Sequence, residues 1–146
     1  MKRTILGLAL VTGLAVAAPS VAGAPPIVAT PLAVGHMQAT TIKAQTGTAI
    51  LTSIKIAPGG SFGWHTHGAP VAVVVAKGTL TVFDPAVGNC KPFKVSKGQS
   101  FVEPANHVHL ARNDTATPVQ VYAMYLGVHE TNQANLPATE PDGCHA

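Results

Sequence analysis

Residues 59–78 read GGSFGWHTHGAPVAVVVAKG: a glycine turn, two histidines one residue apart, and an aliphatic run from Val71 to Ala76. Such a run, small, largely β-branched and bounded by turn signals, predicts a strand covered on both faces. On a strand, residues two apart project from the same face, about 6.5 to 7 Å along the chain. His65 and His67 therefore point the same way, and two neutral imidazoles so placed can grip one cation.

A stable site needs a third donor. Residues 98–113, GQSFVEPANHVHLARN, carry a second pair at the same spacing, His107 and His109. Either pair alone is a weak signal, because exposed strand histidines are common and a buried one is often satisfied by a carbonyl. Two pairs among seven histidines, each following a glycine turn, make a stronger case.

Around these segments the chain reads as short strands. Thr48 to Ile56 alternates, with Ile50, Thr52, Ile54 and Ile56 on one face, and Pro58-Gly59-Gly60 ends it. Lys77-Gly78 turns the aliphatic strand into a second one, Thr79 to Phe83, as in a hairpin. Ser100–Glu103, Val108–Ala111 and Val119–Leu126 give three more strands, and no segment has the pattern of a three-turn helix. Short strands about ten residues apart, rich in Gly and Pro turns, predict an all-β sandwich or barrel.

The N-terminus has the form of a secretory signal peptide: Lys2 and Arg3, an apolar stretch from Ile5 to about Ala18, then Ala22-Gly23-Ala24 as a cleavage site. The apolar run is shorter than the roughly 20 residues of a spanning helix, and no later segment is long and apolar enough to cross. The expected organisation is a signal peptide over 1–24, a proline-rich flexible arm over 25–33, one β-domain over 34–130 and a tail over 131–146. The expected location is secreted or periplasmic.

Of nine basic residues, Lys2 and Arg3 leave with the signal, so seven remain against six acidic ones. That balance gives no electrostatic case for nucleic acid or an anionic membrane. Lys91, Lys94 and Lys97 read as a solvated loop. Cys90 and Cys144 are an even pair in an oxidising compartment, which predicts a disulfide pinning the tail. A Cys144-His145 metal pair and two free thiols are the rival readings.

The two histidine segments resemble the cupin motifs. Gly59-x5-His65-x-His67 followed by Gly78 is similar to G-x5-H-x-H-x3or4-E-x6-G, and Gly98-x5-Pro104-x-Asn106-x2-His109-x3-Asn113 is similar to G-x5-P-x-G-x2-H-x3-N. The resemblance implies a single-domain jelly-roll β-barrel or double-stranded β-sandwich. It also implies one divalent transition metal per chain on His65, His67 and His109, a small-molecule ligand or substrate, and a homodimer formed by strand exchange. His107 falls outside the motif, and Asn113 is expected to be structural. Two positions depart from the pattern. Asn106 replaces a glycine, and Asn also tolerates positive φ. Val71 stands where the motif has a ligand glutamate.

Three imidazoles without that carboxylate leave a divalent ion its full charge and an open position. Family members with three-histidine sites are dioxygenases, so the resemblance implies a metal-dependent oxygenase among the oxidoreductases. A non-catalytic metal or small-ligand binding cupin is the alternative, and a sugar isomerase or epimerase is a third, poorly supplied with proton-transfer groups. Glu103, Tyr122 and Tyr125 are the acid-base candidates. Glu103 could act as a catalytic base or accept a hydrogen bond from a ligand histidine, against the favoured reading of a solvated turn residue. The ion is open among iron, copper, zinc, nickel and manganese.

Overall fold

Period-two alternation places β1 (Thr48–Ile56): Ile50, Thr52 and Ile54 are half-buried and Ile56 is buried on the expected face. The computed structural model describes residues 28–146. The signal-peptide reading and residues 25–27 of the proline-rich arm lie outside these residues. After β1 come β2 (Ser61–Thr66), β3 (Val71–Lys77), β4 (Thr79–Phe83), β5 (Phe93–Ser96), β6 (Ser100–Glu103), β7 (His109–Arg112), β8 (Val119–Val128) and β9 (Leu136–Pro137). The only helical pieces among the described residues are single 3₁₀ turns at Gly88–Cys90 and Thr131–Ala134.

The strands form two antiparallel sheets, in the orders β1-β8-β3-β6 and β5-β4-β7-β2-β9. Val71, Val73 and Val75 of β3 pack into the core with Val119, Val121 and Ala123 of β8 and Leu80 and Val82 of β4. Each valine so buried contributes on the order of 1.5–3 kcal/mol relative to exposure.

Several local expectations are corrected. β3 is covered on one face only: Ala72 and Val74, between the core valines, are half-buried, and Met124 of the adjoining β8 and Leu51 of β1 beyond it are exposed. β3 and β4 do not form a hairpin, because they lie in different sheets. Gly78, at φ +76°, makes the corner between them, and a Cβ there would meet the Val119 side chain at 3.0 Å. Lys94 sits on β5 rather than in a loop, although it is exposed as expected. The segment after Glu130 adds β9 to the edge of β2, pairing His65 with Pro137 and Thr66 with Leu136. Cys90 and Cys144 form a disulfide that ties this segment to the loop after β4.

Asn113, fully buried after β7, holds the β1–β2 turn. Its Nδ2 donates to the carbonyls of Ile56 (3.0 Å) and Thr117 (2.8 Å), and its Oδ1 accepts from the amide and hydroxyl of Thr115. Asn106 takes φ +59°, the conformation that the glycine of the motif would supply.

Candidate metal centre

His65 on β2 and His109 on β7 are direct cross-strand partners. His67 lies one residue past the end of β2, on the same side as His65. All three are buried, and their ring centroids are 4.3 to 5.0 Å apart. One potential donor atom from each falls within 4.8 Å of the others.

The backbone sets the protonation of each ring. His65 Nδ1 donates to Gly63 O at 3.0 Å, His109 Nδ1 to His107 O at 3.0 Å, and His67 Nδ1 to Ala134 O at 2.6 Å. A carbonyl only accepts, so each Nδ1 carries its hydrogen and the neutral ring leaves a lone pair on Nε2. Metal-binding histidines are oriented in this way. His109 Nε2 is also a buried atom with no hydrogen bond of sound geometry, an arrangement that costs free energy until something fills it. The residues present therefore fit a transition-metal ion.

Glu103 closes the fourth side. The expectation of a solvated turn residue is overturned, because its side chain is buried at the end of β6. Oε2 lies 3.1 Å from His67 Nε2, and Oε1 lies 3.2 Å from His109 Nε2. The second approach is close in distance but poorly directed, so it acts as a charge contact. Burial pushes the Glu103 carboxyl up, yet the His109 and His67 rings outweigh burial and hold it down at about 2. Burial, helped by the neighbouring His109, lowers His65 to about 4. Burial also opposes charge on His109, but the Glu103 carboxylate prevails and raises it.

Tyr125 of β8 packs edge-on against His67 at 5.4 Å, with burial and Glu103 raising its phenol. Tyr122 instead lines a groove on the outer face of the sheet, with Leu51 and Met124. His107 is apart from the cluster: Nε2 pairs with Asp84 at 3.2 Å, and only its backbone carbonyl serves the site. Beside the His65 and His67 rings lies a cavity of about 30 Å³, lined by Phe62, Leu80, Ala111 and Val121 among others. That space holds roughly two waters.

Sequence reasoning missed one contributor and misjudged the burial of another that it had named. The Ala134 carbonyl is a backbone group in an unpatterned stretch and left no signal. The burial of Glu103 follows from pairing between strands remote in sequence, which a linear reading does not show.

Comparison with known proteins agrees with the fold and the histidine pattern. The cupin domain model matches residues 52–125, and the chain belongs to the cupin family. No curated protein matches it. Among solved structures, a Klebsiella pneumoniae protein with a double-stranded β-helix domain aligns with TM-score 0.50 and 18% identity, over 68% of this chain and 81% of that one. The polyketide cyclase RemF from Streptomyces resistomycificus aligns with TM-score 0.53 and 15% identity, over 67% and 66%. The DMSP lyase DddQ from Ruegeria pomeroyi aligns with TM-score 0.51 and 15% identity, over 62% and 43%. At such identities the likeness is one of fold.

Proposed function

We propose that the protein is an extracytoplasmic cupin that holds one divalent transition metal ion on His65, His67 and His109 and presents it to a small molecule. The observation that carries this reading is the set of three Nδ1–carbonyl bonds, which turn three Nε2 lone pairs toward a common point. The Cys90–Cys144 disulfide supports an oxidising compartment. No helix among the described residues is long and apolar enough to span a membrane.

The reaction class we assign is oxygenase-type oxidoreduction. A bound ion of this kind supplies a Lewis-acid position at which a chelating substrate and oxygen can meet. The chain's part is to wall that position with Phe62, Leu80 and Val121, which restricts access of bulk water, and to offer the Tyr125 phenol as a nearby proton-holding group. Glu103 is a poor candidate for a free base, because its oxygens face the same nitrogens that would bind the ion.

Non-catalytic binding is the second reading, favoured by the small and mostly apolar cavity. Elemental analysis of protein exported with its own leader tests the shared premise: one equivalent of transition metal is expected. Absence of metal, with His65→Ala and His109→Ala leaving added-metal binding unchanged, overturns it. Oxygen uptake by iron-, copper- or nickel-loaded protein with diketones, thiols or polyphenols separates the two readings, and no uptake across that panel favours binding alone.

A further inference from the structure

We infer that Glu103 is the fourth ligand of this centre, so that the carboxylate of the site arrives from β6 instead of β3. The inference rests on the metal-binding reading of the three histidines. Its first ground is electrostatic. His67 Nε2 and Glu103 Oε2 lie 3.1 Å apart, and with His67 Nδ1 committed to Ala134 O both are acceptors in the neutral ring. Two acceptors at that distance repel unless a proton or a cation sits between them. His109 Nε2 and Oε1 repeat the arrangement at 3.2 Å.

The second ground is which nitrogen the carboxylate meets. A carboxylate that merely orients a ligand histidine takes the ring's other N–H. Here the other nitrogens are occupied by the carbonyls of Ala134 and His107, and Glu103 faces the two atoms that would hold the ion. Spacing agrees with shared coordination: donors each about 2.1 Å from one ion lie about 3.0 Å apart at a right angle and about 3.4 Å apart at a tetrahedral angle. The observed 3.1 and 3.2 Å fall within that interval.

Register explains how the residue gets there. Val71 on β3 pairs directly with Glu103 on β6, and residues directly opposite on adjacent strands share a face. The acid is therefore displaced by one strand across the sheet, within the same row. Its negative charge lowers the net charge of a divalent centre from +2 to +1. Its hard oxygen extends the ions the site suits toward manganese and iron.

The test is zinc affinity and the visible spectrum of cobalt(II) on the mature wild-type protein, Glu103→Gln and His65→Ala. Expected is one zinc per wild-type chain, with Glu103→Gln weakened beyond the roughly 10- to 100-fold that loss of an orienting partner costs, and an altered cobalt spectrum. A Glu103→Gln protein that binds within that range and keeps the wild-type cobalt spectrum, while His65→Ala loses binding, overturns the inference and leaves the histidine site standing. Wild type that binds neither ion overturns both. Should Glu103→Gln fail to fold, infrared difference spectra of wild type labelled with [¹³C]glutamate decide: a zinc-sensitive carboxylate band is expected, and its absence overturns the assignment.

Discussion

His65 and His109 face each other directly across the β2–β7 ladder, with ring centroids 4.3 Å apart, so one pair of backbone hydrogen-bonded strands sets the separation of two of the three rings. His67, just past the strand, is the ring whose Nδ1 depends on a remote segment. Replacing His65, His67 or His109 by alanine is expected to lower zinc affinity by about 100-fold or more. His107→Ala keeps the carbonyl that orients His109 and should stay within a few-fold of wild type. Calorimetric titration of the four variants checks both statements, and a His107→Ala loss equal to that of His109→Ala would contradict the assignment.

Acid should destabilise the metal-free protein in two ways. The unfolded chain protonates a histidine near 6.5 while folded His65 resists until about 4, so the unfolded state binds more protons across that interval and stability falls as pH drops through it. Glu103, held at about 2 against an ordinary 4.5, contributes stability that is present above about 4.5 and lost as pH falls toward 2. His109 runs the other way: its raised value favours the folded state below about 6.5 and ceases to do so as pH rises through the folded value. His109 therefore acts only above about 6.5, where stability declines as pH rises, while the His65 loss runs unopposed from about 6.5 downward and is joined by that of Glu103 below about 4.5, where the profile is steepest. Denaturant melts from pH 3 to 8 measure this, and Glu103→Gln should remove the steep limb.

Asn113→Ala should be among the most damaging changes that touch neither the core valines nor the site. It orphans the buried carbonyl of Ile56 and unties Thr115 and Thr117, at about 1–3 kcal/mol for each buried group left without a partner. Thermal unfolding should show a clear drop in Tm, whereas Asp114→Ala, which loses only an exposed pair with Arg112, should change stability by less than about 1 kcal/mol.

Replacing both Cys90 and Cys144 by serine should cost up to about 4 kcal/mol in the chain-entropy account of a loop of this length, with a sequence separation of 54. Zinc affinity should fall as well, because the segment so released carries the carbonyl that holds the His67 ring. A double variant that melts lower yet binds zinc as tightly as wild type would show that β9 pairing alone holds Ala134 in place.

The fold could be read from the sequence where periodicity is local. Ile50 to Ile56 and Val71 to Val75 alternate or run apolar in ways that only strands explain, and the glycines between them mark the turns. Which sheet each strand joins could not be read, because Thr79–Phe83 follows β3 after a single residue and nonetheless crosses to the other layer. The histidines could be found because ligand spacing is a local property of one strand. Glu103 was misjudged because its burial is set by pairing with Val71, 32 positions earlier in the chain.

The span that matches the cupin model ends at Tyr125, yet the acceptor for the His67 ring is Ala134. A chain cut just after Glu130 would keep every histidine of both motifs and every residue by which the family is recognised. It would also set one imidazole free to rotate and exchange tautomers. For this protein, completeness of the motifs is not completeness of the binding site, and the proper C-terminal boundary of a working fragment lies beyond β9.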